Sequence, residues 1–191
     1  MEKFISKFEG RLVTEALDVG TGTGASLELL TKFSTHVVGI DVMPELLTWA
    51  DHRIRKKRVS YDLREMDIMN PEFPPNKFNI ILSNGFGGFI DNTELERLYG
   101  ILHFLLKDGG RFYQYFRPTQ AAEVYSTSPR AELAGAVARI INYSTFSPAI
   151  LASPNQRFSI DPTDFGFEGG YYDIRGKSGA RFERFVKIPY K

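Results

Sequence analysis

The chain contains no cysteine, which excludes disulfides, thiolate metal sites and any mechanism built on a cysteine nucleophile. It has no excess of either charge: 24 basic residues face 23 acidic ones, for a net charge of +1. A surface dominated by a nucleic-acid footprint is therefore not indicated, although a local basic patch is compatible with that balance. No window reaches the roughly 18 apolar residues that a membrane span requires. Met1 to Arg11 mixes charge with phenylalanine and lacks an uninterrupted apolar core, so the expectation is a cytoplasmic protein with no membrane partner. Histidine is scarce too. His103 falls on a helix body and reads as a partly exposed structural residue, His36 starts a strand, and His52 lies near a basic helix end. No catalytic side chain and no metal site is assigned.

What is present fits one domain spanning residues 1–191, with 42% hydrophobic and 25% charged residues and no internal repeat or interdomain linker. Its organising stretch is Leu17-Asp18-Val19-Gly20-Thr21-Gly22-Thr23-Gly24, where an apolar run breaks into alternating glycines and a helical pattern begins near Ala25. That order reads as a strand, a tight turn and a helix start. Glycine permits positive φ and close approach of a ligand, and the first amides of a helix offer unpaired donors. Gly20, Gly22 and Ala25 also satisfy G-x-G-x-x-A, which on glycines alone admits a dinucleotide. Asp18 argues the other way, because a carboxylate at the end of the strand repels a pyrophosphate and favours a cationic ligand.

With Asp18, Gly20, Gly22 and Gly24 the segment resembles motif I, Asp/Glu-x-Gly-x-Gly-x-Gly, of the class I methyltransferases that use S-adenosylmethionine (SAM). SAM brings an ammonium and a sulfonium and no phosphate. The resemblance implies an α/β, Rossmann-like, doubly wound and mostly parallel seven-stranded sheet with an antiparallel C-terminal hairpin strand. It also implies that Asp18, Gly20, Thr21, Gly22 and Gly24 bind the cofactor.

The chain in order supports the pattern. Leu12 to Val19 is the first strand, and Leu27, Leu30, Leu29 and Phe33 mark the helix that follows. The apolar run Val37 to Ile40 is a second strand ending in Asp41. An acid about 20 residues past the glycine turn is where doubly wound folds hold ribose hydroxyls, and the resemblance places Val42 and Met43 near the adenine. Pro44 opens a helix to about Lys57 with an apolar stripe of Leu46, Leu47, Ala50 and Ile54. Its basic end, Arg53 to Arg58, reads as a solvated face complementing the helix dipole, with an RNA site as the competing reading. Val59 to Met66 is a third strand. In the family an acid after it accepts the adenine amino group and the next amide reaches the ring, roles that would fall to Asp67 and Ile68.

Phe78 to Leu82 is the fourth strand, expected beside the first, and delivers Ser83 to Phe89 to the same edge. This loop should face the transferable methyl, with Asn84 in contact with cofactor or substrate. Members that methylate exocyclic amino groups usually carry Asn-Pro-Pro-aromatic here, and this chain has Asn84-Gly85-Phe86. Thr93 and Glu96 form a capping box before a helix with Leu95, Leu98, Leu102 and Leu105 buried. Leu105 to Phe112 resembles the turn before the fifth strand, Arg111 to Arg117, so the SAM-binding core spans 12–117. Residues 118–165 read as a lid over the substrate. Phe167 to Arg175 and Arg181 to Tyr190 form a hairpin, within 166–191.

Displacement at a sulfonium needs alignment and exclusion of water, with a base only where the nucleophile must lose a proton. Tyr113 and Tyr115 are the side chains in the core that could serve as one. The expected acceptor is a small molecule; an RNA- or protein-directed enzyme and a non-catalytic SAM-binding scaffold are the alternatives. Only ten residues precede Arg11, so the lid should come from beyond the fifth strand, from a partner or from a second subunit, as in a homodimer.

Overall fold

The structure is a computed structural model, which describes residues 1–6, 9–10, 12–84, 92–116, 167–172 and 181–188. Seven strands form one sheet in the order β3-β2-β1-β4-β5-β7-β6. They are β1 (Val13–Val19), β2 (Ser34–Asp41), β3 (Ser60–Glu65), β4 (Phe78–Asn84), β5 (Leu106–Phe116), β6 (Phe167–Tyr172) and β7 (Arg181–Lys187), with helices α1 (Glu2–Ile5), α2 (Ala25–Leu30), α3 (Pro44–Ile54) and α4 (Asn92–Leu105). The first five strands run parallel, and β7 pairs antiparallel with both β5 and β6. This is the seven-stranded, doubly wound arrangement expected. The strand order reverses direction between β1 and β4, the point at which such sheets open a crevice for ligands beyond their carboxyl ends.

The central strands are apolar on both sides because helices cover both faces. Ile5, Leu27, Leu30 and Ile54 of α1, α2 and α3 pack on Ala16, Val37, Ile80, Leu82 and Tyr113. On the opposite face Leu98, Leu102 and Leu105 of α4 meet Leu17, Val38, Ile81 and Phe112, with Phe185 of β7 completing the layer. Each fully buried Leu, Ile or Val side chain among these contributes about 1.5–3 kcal/mol relative to exposure. Leu29 and Leu47 are only half-buried, so the apolar stripes of α2 and α3 are narrower than their leucine spacing suggests.

Several boundaries move. The strand β2 begins at Ser34, three residues before the apolar run, because Ser34, Thr35 and His36 continue its ladder with β1 or β3. Helix α3 ends at Ile54, its last core contact, and the basic residues that follow lie beyond it. Helix α4 already includes Asn92 and Thr93, so Thr93 is inside the helix and does not precede it. The glycine turn at residues 107–110 is absorbed into β5, whose register against β4 shifts between Phe78 and Ile80. His103 is buried at 5% exposure, contrary to the partly exposed placement expected of it. The face of α4 that meets the sheet is wide enough to take it in. The region 118–165, the loop residues Gly85 to Phe89 and the turn of the hairpin at 176–179 lie outside the described residues.

Candidate functional site

The carboxyl ends of β1 and β2 carry the site. Leaving β1, the chain passes through Gly20, Gly22 and Gly24 with φ of 66°, 52° and 81°, left-handed values that a residue with a Cβ adopts only at a cost. Two amides of the turn are held by backbone carbonyls: Thr21 donates to the carbonyl of Ile40 and Gly24 to that of Thr21, each at 2.9 Å. Gly24 has a second constraint, since a Cβ built on it would fall 2.8 Å from the Cα of Ala50 on α3. Above Gly22, by contrast, a Cβ would meet nothing within 4 Å among the described residues, which leaves this side of the turn free of them.

Asp18 lies beneath the turn and is fully buried. Its Oδ2 accepts the hydroxyls of Thr21 at 2.5 Å and Ser26 at 2.9 Å. Gly39, its register partner on β2, has no side chain to fill the space, and a Cβ there would come within 3.1 Å of the Thr21 hydroxyl. Burial pushes the Asp18 carboxyl up to about 7; the two hydroxyls oppose that shift and the nearby Asp41 charge adds to it. Ser26 was not identified from the sequence. A hydroxyl in the first turn of a helix has many uses, and only the packing of α2 over β1 aims it at Asp18.

Asp41 stands at the end of β2, partly exposed, and accepts the amide of Gly22 at 2.9 Å and that of Met43 at 3.0 Å. Burial raises its carboxyl above the usual range against the pull of the Gly22, Met43 and Val42 amides. Of the two residues after it, Val42 is 55% exposed beside the turn, whereas Met43 turns inward and is buried. Asp67 is exposed and caps its own turn, Oδ1 accepting the amide of Met69 at 2.9 Å, while the side chain of Ile68 is in the core. Asn84 is exposed at the end of β4, on the sheet edge it shares with Asp18 and Asp41. Asp18 is thus hydrogen-bonded to Thr21 and Asp41 to Gly22, two adjacent residues of one turn, while Asp67 and Asn84 lie outside these bonded pairs.

Two expectations are corrected by packing. Tyr113 is buried in the core, its hydroxyl donates to Glu9 at 2.6 Å, and both burial and that acceptor raise its pKa, so it is not placed to act as a base. The basic run at the end of α3 is not wholly solvated: Arg53 and Lys57 both reach Glu28 of α2, at 3.3 Å and 2.6 Å. Nothing in the charge pattern reveals this, since Glu28 precedes the run by 25 residues or more. Among the described residues no group of three or more acidic or histidine side chains is arranged to hold a metal ion, and no helix is long and apolar enough to cross a membrane.

Comparison with known proteins bears on the family and the fold. Residues 16–110 match the family model described as a methyltransferase domain. The chain is 25% identical over 124 residues to a phosphoethanolamine N-methyltransferase of Plasmodium falciparum, covering 62% of this chain and 41% of that protein. It is 30% identical over 129 residues to the 18S rRNA (guanine(1575)-N(7))-methyltransferase of Saccharomyces cerevisiae, covering 62% of this chain and 46% of that one. It therefore spans less than half the length of either relative. The crystal structure of the N-methyltransferase NodS from Bradyrhizobium japonicum in complex with S-adenosylhomocysteine superposes with a TM-score of 0.66 at 16% identity, over 98% of this chain and 86% of that one. With the acid-bearing glycine turn, the strand order and the matched domain in agreement, the chain belongs to the family of class I S-adenosylmethionine-dependent methyltransferases.

Proposed function

We propose that this chain transfers a methyl group from SAM to a small-molecule acceptor. The observation that carries the reading is the bonded pair of acid and turn: Asp41 holds Gly22 at 2.9 Å while none of the described residues fills the space above Gly22. When bound, SAM supplies an electrophilic methyl on a sulfonium, and displacement releases a neutral thioether. The chain's own residues hold and orient. The Asp41 carboxylate accepts ribose hydroxyls, in part by exchanging its bond to Gly22. Val42 offers an apolar surface to the adenine, and the backbone of Met43, with its side chain inward, fixes that segment. Asp67 and the amide of Ile68 take the adenine edge. Asp18 keeps the turn in shape through Thr21 and Ser26 and sets a titratable carboxyl beneath it; Gly20 and Gly24 give the turn its curvature. Asn84 borders the methyl at the end of β4.

Alignment and exclusion of water then account for most of the rate, so no base is assigned. Incubating the protein with isotopically labelled SAM and a metabolite extract, followed by mass spectrometry, should yield S-adenosylhomocysteine and a labelled small molecule. SAM binding without any turnover would instead mark a scaffold subunit. A thermal shift with NAD(H) exceeding that with SAM would remove the reading altogether.

A second reading, methylation of RNA, has one observation in its favour: Arg55, Lys56 and Arg58 are exposed in one cluster after α3, and the yeast relative is named for an rRNA guanine. Arg53 and Lys57 are already committed to Glu28, which leaves this patch smaller than the sequence implies. Charge neutralisation at Arg55, Lys56 and Arg58 that left labelling of an RNA pool unchanged would end this reading.

A further inference from the structure

The glycine-rich turn is held from the outside by a residue of the neighbouring helix. Thr23 sits between Gly22 and Gly24, both in left-handed conformation, so the peptide planes on either side of it have little steric resistance to reorientation. Its carbonyl accepts the Nε–H of Arg53 at 3.0 Å. The same guanidinium donates through Nη1 to Glu28 at 3.3 Å, and Glu28 begins its own helical bond one step away, its amide donating to the carbonyl of Gly24 at 2.8 Å. One planar fork thus spans the turn and the helix that follows it. Lysine has no equivalent geometry, because its single ammonium cannot reproduce the fixed fork of a guanidinium.

We propose that Arg53 is a positioning residue for the cofactor turn: it fixes the Thr23–Gly24 peptide, whose amide closes the turn on the carbonyl of Thr21, so that the turn keeps the shape in which SAM is received. This rests on the SAM reading of the site above. The ion pair with Glu28 is not the operative part. Arg53 and Glu28 are 42% and 32% exposed, and exposed pairs contribute little. What matters is the neutral acceptor: the Thr23 carbonyl belongs to a segment whose shape comes from three glycines and a few hydrogen bonds. Below it the turn is tied to Asp18 and Asp41, and Arg53 ties its outer side to α3, where Gly24 already lies against Ala50.

Lys57 is the built-in control, because it bonds Glu28 at 2.6 Å without touching the turn. The test compares Arg53→Gln, Arg53→Lys and Lys57→Gln by amide hydrogen exchange at residues 20–25 in ligand-free protein and by calorimetric titration with SAM. Arg53→Gln is expected to speed exchange at Gly22 and Gly24 and to weaken SAM binding roughly three- to tenfold, the scale of one hydrogen bond. Arg53→Lys should recover part of both effects, and Lys57→Gln should change neither. Wild-type exchange in Arg53→Gln would overturn the proposal, as would equal effects from Arg53→Gln and Lys57→Gln, which would mean that Glu28 merely joins two helices. Altered exchange in Arg53→Gln with no SAM binding by the wild-type protein would retain the clamp and reject the cofactor.

Discussion

Oδ2 of Asp41 lies 2.9 Å from the amide nitrogen of Gly22, which joins the end of β2 to the middle of the glycine-rich turn. The other oxygen accepts the amide of Met43, so a single side chain both shapes the turn and presents the acceptor expected to meet a ribose. Asp41→Ala removes both functions and should lower SAM affinity by at least about tenfold. Asp41→Asn, with one carbonyl oxygen left to accept, should fall between the two. Calorimetric titration measures this directly, and wild-type affinity in Asp41→Ala would place the ribose elsewhere.

Gly22 and Gly24 share a left-handed backbone and differ in their surroundings. A Cβ at Gly24 strikes the backbone of Ala50, and one at Gly22 meets none of the described residues. Gly22→Ala should therefore cost only the conformational strain, about 1–2 kcal/mol. Gly24→Ala adds an overpacking cost and should lose about 2–5 kcal/mol. Urea unfolding of the two variants checks the order. SAM affinity should show the opposite emphasis, since the methyl of Gly22→Ala projects into the space a ligand would use. Equal unfolding midpoints would mean that α3 yields to the added methyl.

The parts of this architecture legible in the sequence are those written locally. Alternating glycines after an apolar run give the turn, Asp41 follows at the spacing of a second strand end, and apolar runs such as Val37 to Ile40 lie in central strands. What escaped depends on elements distant in sequence. Lys187 is buried and bonds Asn76 at 2.6 Å and the carbonyl of Leu106 at 2.9 Å, yet in the sequence it is one more lysine near the end of a strand. Tyr113 reads as one of the side chains that could serve as a base until Glu9, more than a hundred residues earlier, is seen to accept its hydroxyl. Arg53 looked solvated because its partners, Thr23 and Glu28, come into reach only when α3 packs beside α2. Helix α3 ends earlier than its composition implies, because basic residues continue a helical composition after the last core residue, Ile54, has been buried.

The Asp18 carboxyl, raised by burial from its ordinary value to about 7, makes stability depend on pH with a definite sign. The folded state holds the proton more tightly than the unfolded chain. The stabilisation is therefore complete below about pH 4, the unfolded value, and is lost as pH rises through about 7. At full ionisation the difference is on the order of 4 kcal/mol. Asp18→Asn keeps an acceptor for Thr21 and Ser26 and removes the titration. In ligand-free protein the melting temperature of the wild type should fall by several degrees relative to Asp18→Asn between about pH 5 and pH 8. Parallel curves would show that Asp18 is ionised throughout and that its two hydroxyl partners are worth more than its burial.

Tyr113 separates a structural from a catalytic role with one oxygen atom. Its hydroxyl donates to Glu9, whose side chain is 1% exposed and also accepts Arg111 at 2.9 Å. Tyr113→Phe removes one donor from that carboxylate, and the expected cost is about 1–3 kcal/mol of stability, the penalty for under-satisfying a buried charge. A phenol in this setting gives up its proton less readily than one in water, because the anion would be buried beside a carboxylate. It is therefore a poor base in any methyl transfer. Turnover of labelled SAM in an extract should survive the substitution at a temperature where the variant remains folded, with SAM affinity unchanged. A turnover loss of about a hundredfold or more with intact SAM binding would restore Tyr113 as the proton acceptor. It would also require the Glu9 contact to open during the reaction.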